Sequence, residues 1–319
     1  KVLASNLHLF DLRPATAWRL YQHKGSTGHK MFIAQNPPYG LLINYYLKSK
    51  VDEKEKVKVT ILDKDGKMVR ELEGGKEAGI NRLAWDLRYA PPAEPTPEQR
   101  EAIALGFFPP GAPRGPLVEP GEYTMKITAG SNEVSKSASV EEDPRIVISP
   151  ADRAARRQAL MQLYELAKTA NRGRSTITGL KTALTSEMEA WKKPGAAKVP
   201  ETVQKAAEAL SQQVEEIHGK FVPPRQPLGA AGPPLAFTPP PFPQRVSRLM
   251  NAVEGHTAAP TAQQAEELEV IAKSLGETME RLKKLVDEDL ANLNKLMNEA
   301  GIPHLSLPPP SAGPTRRPE

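Results

Sequence analysis

The sequence predicts an α+β chain of more than one domain, in which an antiparallel β-sandwich is followed by an antiparallel α-helical bundle with proline-rich arms. Three observations predict it. Apolar residues alternate with period two between Val51 and Val140, they change to a three-and-four spacing beyond Ser149, and prolines crowd the stretches 90–118 and 222–243. The length agrees, since 319 residues make about two domains at roughly 150 residues each. With 39% apolar residues the chain can build two modest cores.

The first strand is read from Val57, Val59 and Ile61, which alternate with Lys56, Lys58 and Thr60 and so set an apolar face against a solvated one. Asp63-Lys64-Asp65-Gly66 follows as a turn, with Gly66 supplying the positive φ that a hairpin requires, and 67–72 returns as the second strand. The third covers 80–88, with Leu83, Trp85 and Leu87 on one face. Beyond the interruption at 90–118, strands resume at 122–128, where Tyr123, Met125 and Ile127 alternate, and at 134–140. Short strands separated by turn residues predict the antiparallel sandwich, with Trp85 and Tyr123 dominating its core. The expected boundaries are an entry segment of one or two strands at 1–50, the sandwich at 51–145, the helices at 149–303 and a proline-rich tail at 304–319.

Ser149-Pro150-Ala151-Asp152 opens the helical part with an N-cap hydroxyl, a proline at the first helical position and an acid in the first turn. Leu160, Leu163 and Ala167 share a face that continues to Trp191, with Gly173 and Gly179 as weak points. A second helix fits 201–220, with Ala206, Leu210, Val214 and Ile217 as its stripe. Nine prolines between Pro223 and Pro243 forbid helix and sheet interiors, so that stretch reads as an extended arm. A short helix fits 244–255. The last helix is the clearest: Thr261 and Gln264 form a capping-box pattern, and Leu268, Ile271, Leu275, Met279, Leu282, Val286, Leu290, Leu293 and Met297 repeat until Gly301 and Pro303 stop them. About 38 residues span roughly 57 Å, and a stripe of that length needs partner helices.

Composition excludes several classes of function. The formal charge is only +5, so no basic field for polyanions exists, and the absence of cysteine removes disulfides, thiolate metal sites and cysteine nucleophiles. No apolar run approaches the roughly 18 residues of a membrane span; the best, 40–47, is interrupted by Asn44 and two tyrosines. A chain that starts at Lys1 is expected to be processed or part of something longer.

Individual candidates resolve to structural roles. Asp63-Lys64-Asp65-Gly66 lacks the third acidic ligand and the closing glutamate of a calcium loop and reads as a hairpin turn. His8, His23, His29, His218, His256 and His304 show no metal-binding spacing. A glycosidase could in principle use Glu187 with Glu189, Glu215 with Glu216, Glu266 with Glu267, or the Asp287-Glu288-Asp289 run. These acids fall on polar helix faces beside lysines and arginines, which predicts solvation. Prolines at 109, 110, 113 and 116 remove the amides a phosphate cradle needs from the glycine-rich stretch around 106–115. Arg153, Arg156, Arg157, Arg172 and Arg174 cluster without aromatic residues for base stacking, so nucleic acid is not an expected partner. No catalytic, cofactor or metal residue is assigned.

A family resemblance enters at Gly79-Ile80-Asn81-Arg82-Leu83-Ala84-Trp85-Asp86-Leu87-Arg88. With Ile61-Leu62-Asp63-Lys64-Asp65-Gly66-Lys67-Met68-Val69-Arg70 and Pro120-Gly121-Glu122-Tyr123, it resembles the Ig-like β-sandwich of the flagellar hook-capping protein and of the C-terminal side of secreted bacterial propeller proteins. That propeller family is the sortilin-type or BNR-repeat group labelled "glycosyl hydrolase". Leu9-Phe10 with Asn36-Pro37-Pro38-Tyr39-Gly40 resembles its exit from the propeller, Asp143-Pro144-Arg145 its junction into the terminal helices, and Pro260-Thr261 with Leu290-Ala291-Asn292-Leu293-Asn294 its helical tail. The propeller repeats and their Asp-box turns are missing, so no sugar or peptide site transfers. The resemblance implies structural roles: Gly66 as turn glycine, Trp85 as core residue, Asp86 and Arg88 as a strand-end polar pair, Pro120 and Gly121 with Tyr123 as the entry to the penultimate strand, and Asp143, Pro144 and Arg145 as the junction.

The expected function is a non-catalytic scaffold or protein-interaction module, the C-terminal part of a secreted or periplasmic bacterial propeller protein or a subunit of a larger extracytoplasmic assembly. Its expected partners are proteins, such as an upstream propeller domain or other subunits, because extended proline-rich arms lie along a partner with little further loss of entropy. The rival is an accessory carbohydrate-binding region of a glycoside hydrolase, with Trp18, Trp85 or Trp191 stacked on sugar.

Overall fold

The computed structural model describes residues 2–19, 38–104, 112–193, 199–223 and 239–306. The chain divides into two compact units, Lys1–Pro91 with Arg114–Arg153, and Pro92–Pro113 with Ala154–Glu319.

The first unit is built from strands β1 (Leu7–Leu9), β2 (Ala15–Ala17), β3 (Leu41–Leu47), β4 (Val57–Leu62), β5 (Met68–Glu73), β6 (Gly79–Trp85), β7 (Gly121–Ala129) and β8 (Asn132–Glu142). Three of them form a sheet in the order β1-β3-β6, and five form a second in the order β2-β8-β7-β4-β5. This corrects the antiparallel Ig-like sandwich expected from the sequence. β2 runs parallel to β8, pairing Ala15 with Val140 and Ala17 with Glu142, so the larger sheet is mixed and curls into a half-barrel. Alternation shows which face of a strand is buried, not which way its neighbour runs. β2 is also too short to carry a period.

Residues 1–50 supply β1, β2 and β3, which enter both sheets. Leu9, Ile43, Tyr45 and Trp85 of the small sheet meet Val59, Ile61, Met125 and Ile127 of the large one in a single apolar cluster. The β4–β5 turn forms because Gly66 adopts φ 73°. The Asp63 carboxylate then accepts the amides of Asp65 at 3.0 Å and Lys67 at 2.9 Å.

The second unit holds α1 (Pro97–Ala104), most of α2 (Pro150–Ala190), α3 (Glu201–Phe221), α4 (Phe242–Gly255) and α5 (Ala262–Lys284), which continues through a π-helical turn (Leu285–Leu290) into α6 (Ala291–Glu299). These helices do not close on one antiparallel bundle core, which is the second correction. Their buried side chains collect in two clusters. Leu160, Leu163 and Ala167 of α2 pack with Val246, Leu249, Met250 and Val253 of α4 and with Ile271. Farther along α2, Ile177, Leu180 and Leu184 pack with α3 and with Leu282, Leu285, Leu293 and Met297. The reason is length: the 41 residues of α2 extend roughly 60 Å, farther than the shorter helices that face it.

Local chemistry explains the ends. Thr261 and Gln264 make both bonds of a capping box, at 3.2 and 3.0 Å. The buried Arg156 donates to the carbonyls of Val253 at 3.4 Å and Glu254 at 3.2 Å, near the C-terminus of α4, where helix carbonyls lack partners. Gly173 is buried where an added Cβ would lie 2.7 Å from the Phe221 ring and 2.8 Å from the Met279 sulfur, so it serves close packing. Helix α1 sits inside the stretch expected to be an irregular interruption. Thr96 and Gln99 open it with reciprocal bonds of 3.3 and 3.0 Å. Of the proline- and glycine-rich stretches, 105–111, 224–238 and 307–319 lie outside the described residues, as does the Asn36-Pro37 part of the exit segment.

Candidate functional site

Strand β3 reads Leu-Leu-Ile-Asn-Tyr-Tyr-Leu, apolar at both parities of the pleat, so burying one face leaves apolar groups on the other. Leu41, Ile43, Tyr45 and Leu47 go into the core; Leu42, Asn44 and Tyr46 stay half-buried on the outer face. The register sets β6 beside them, with Tyr46 opposite Ile80, Asn44 opposite Arg82 and Leu42 opposite Ala84. On the other flank His8 lies opposite Tyr46, and its ring stands edge-on to Phe10 at 5.1 Å. The outer face of the small sheet is therefore a platform on which Phe10, Leu42, Tyr46 and Ile80 surround the Asn44–Arg82 pair. Ile80 is 71% exposed. Arg82 donates from Nε to Asn44 Oδ1 at 2.7 Å, and among the described residues no strand position on this face carries a carboxylate.

The platform is backed by fixed groups. Tyr45 donates its hydroxyl to the Gly75 carbonyl at 2.6 Å, and burial pushes its pKa up to about 12. A Cβ on Gly74 would lie 2.4 Å from that hydroxyl, so the close approach needs glycine.

At the end of β6 the structure gathers several residues singled out in the sequence. Trp85 is fully buried, donates from Nε1 to the Arg88 carbonyl at 3.0 Å and meets Tyr123 edge-on at 5.2 Å. Asp86 and Arg88 do not pair side chain to side chain: Asp86 accepts from Arg70 at 2.7 Å and from the Arg88 amide at 3.3 Å, while the Arg88 guanidinium donates to the Gly115 carbonyl at 2.8 Å. Between them Leu87 is buried at φ 57°, a strained conformation for a branched side chain. Tyr123 donates to the Glu119 carbonyl at 2.7 Å across Pro120 and Gly121, and Gly121 opens β7 opposite Val140. Gly66 belongs to the separate β4–β5 turn.

Asp143, Pro144 and Arg145 follow β8 and form a clasp. The buried Asp143 carboxylate accepts from Arg145 Nε at 2.8 Å, from the Arg145 amide at 3.0 Å and from the Arg19 amide at 3.0 Å. Arg145 also donates to the Arg19 carbonyl at 3.2 Å, and its guanidinium lies 5.6 Å from the Trp18 ring centroid. Pro144 is exposed. The Arg145 side-chain bond, helped by the two amides, holds the Asp143 carboxyl far below the usual carboxylate range. A depressed folded pKa gives stability that is present above the unfolded value near 3.9 and is lost as pH falls toward the folded one. In urea titrations of Asp143→Asn, the deficit in stability is therefore expected to be largest at neutral pH and to shrink below about pH 4. A deficit independent of pH would contradict this.

Most of the acids considered for catalysis are engaged in local pairs. Glu187 accepts from Trp191 Nε1 at 3.0 Å, Glu215 pairs with Lys181 at 2.8 Å, Glu216 with Arg281 at 2.9 Å, Glu267 with Arg245 at 2.9 Å and Glu288 with Lys284 at 3.9 Å. Glu189, Glu266 and Asp287 are exposed, and Asp289 is half-buried. Of the arginine cluster, Arg153 pairs with Glu119 and Glu142 and Arg156 is buried, while Arg157, Arg172 and Arg174 are exposed. His218 is half-buried, and burial depresses its pKa; His256 and His304 are exposed, and His23 and His29 lie outside the described residues. Among the tryptophans Trp85 is buried, Trp191 is half-buried, and Trp18 is 44% exposed.

Among the described residues no group of three or more His, Asp or Glu is placed to hold a metal ion, and no helix is long and apolar enough to cross a membrane. The outer platform went unassigned in the sequence, although the double parity of β3 marked it. No family model and no curated protein matches the chain.

Proposed function

We propose that this chain is a non-catalytic protein-interaction module of a secreted or periplasmic bacterial assembly, in keeping with the resemblance of its strand motifs to secreted propeller proteins. The observation that carries the reading is the platform of the small sheet, where Phe10, Leu42, Tyr46 and the 71% exposed Ile80 share one face. Exposed apolar groups on one sheet face, set to either side of the Asn44–Arg82 pair, form a contact surface for another protein. The carboxylates that could serve as acid and base sit mostly in ion pairs and hydrogen bonds along helix surfaces, which supports contact rather than chemistry. Protein is favoured over carbohydrate because Trp18, the most exposed indole, has the Arg145 guanidinium over its ring.

A photo-crosslinking residue placed at Ile80 is expected to trap a defined protein partner in the native host. Ile80→Lys is expected to weaken that complex by about tenfold or more. Its melting temperature is expected to stay near that of the parent chain, because substitutions of exposed side chains cost little. Unchanged binding by a folded Ile80→Lys protein, or turnover that disappears on Glu187→Gln or Glu215→Gln without unfolding, would overturn the reading.

A further inference from the structure

We propose that the outer edge of β6 is a strand-addition site for an extended segment of a partner protein, one that carries an acidic residue opposite Arg82 and apolar residues two positions to either side. This rests on the interaction-module reading and specifies the partner it takes.

The hydrogen-bond parity of the small sheet carries the argument. Phe10 donates to the Asn44 carbonyl at 3.1 Å and Lys48 to the Asn6 carbonyl at 3.0 Å, so the even positions of β3 spend their backbone groups on β1. Its odd positions, among them Ile43 and Tyr45, then bond to Leu83 and Asn81 of β6. On β6 this leaves Ile80, Arg82 and Ala84 with N–H and C=O directed away from β3. Among the described residues no further strand pairs with them, since β6 ends the order β1-β3-β6. Their side chains stand on the platform face, so one added strand would bond to this edge and extend the face beyond Ile80.

The other sheet edges are less available. β1 and β2 have three residues each. On β5, Val69 already accepts the Ala90 amide at 3.1 Å, and Glu71 and Glu73 are paired with Lys58 and Lys56. β6 offers seven residues with Arg82 at the centre, and among the described residues Arg82 has no carboxylate partner.

That charge selects the occupant. Opposite charges facing each other across a strand pair stabilise it, and like charges destabilise it. Two copies of β6 in full antiparallel register would bring Arg82 against Arg82, so the edge disfavours self-pairing and accepts an acid-bearing strand. Ile80 and Ala84 flank Arg82 on the same face and call for apolar residues two positions from the acid.

The test uses the full chain and a synthetic peptide that alternates valine and threonine around a central glutamate. Hydrogen exchange followed by NMR is expected to show the Ile80, Arg82 and Ala84 amides becoming protected as peptide is added, while those of Asn81 and Leu83 are protected from the start. A peptide with lysine at the centre is expected to bind about fivefold or more weakly, and Arg82→Glu to invert that preference. Ala84→Pro removes an outward donor without removing a bond to β3 and is expected to weaken binding about fivefold. Absence of protection at saturating peptide, equal binding of both peptides, an Arg82→Glu protein with unchanged preference, or a dimer joined through β6 would each overturn the proposal. Loss of partner binding in Ile80→Lys alongside any of these results would leave the platform reading standing and remove only strand addition.

Discussion

Trp85→Ala is expected to destabilise the strand-built unit by about 3–5 kcal/mol, a large part of the roughly 5–15 kcal/mol that holds a domain together. The side chain is fully buried between the two sheets, so truncation leaves a cavity lined by groups that β3, β6 and β7 hold in place. It also removes the edge-on partner of Tyr123 and the donor to the Arg88 carbonyl. Urea unfolding followed by circular dichroism in the strand region measures the loss, with Trp85→Phe expected to keep the larger part of the stability. A midpoint unchanged in Trp85→Ala would mean that this residue does not organise the core.

The second large effect is expected at Gly40. Its φ is 104°, and a Cβ there would lie 1.9 Å from the Trp85 carbonyl oxygen and 2.8 Å from the carbonyl carbon. Both are backbone atoms, so no rotamer change can relieve the contact, and Gly40→Ala must force β3 and β6 apart where Leu41 faces Trp85. Backbone strain of about 1–3 kcal/mol adds to overpacking of similar size. Gly66→Ala is the control: φ is 73°, nothing lies within 4 Å of the added carbon, and the expected cost is about 1–2 kcal/mol. Equal stabilities for the two variants would show that the strand pair yields more easily than its geometry implies. The Gly40 result also bears on function, because the β3–β6 pairing shapes the platform.

Several elements were legible in the sequence because their causes are local. The β4–β5 turn follows from Gly66 and the Asp63 carboxylate, and the start of α5 follows from Thr261 and Gln264, three residues apart. Trp85 and Tyr123 were identifiable as core residues because alternation fixed their faces. The same capping logic applies at Thr96 and Gln99, but the surrounding prolines hid it. The platform was only half legible. β3 showed apolar residues at both parities, yet nothing near it in sequence indicates that β6, some forty positions on, lies alongside and leaves Ile80 exposed.

What the sequence alone determined is most of the parts: where the longer strands alternate, where the longer helices begin, which residues turn the chain and which side chains of those elements are buried. The tertiary structure alone decided how those parts meet. The parallel pairing of β2 with β8, the binding of Arg19 to Asp143 across 124 positions, the division of α2 between two clusters and the open edge of β6 all belong to it. The physical reason is range. Turn conformation, capping and face periodicity are set by interactions within a few residues, whereas strand order and direction depend on contacts between distant segments that leave no local mark.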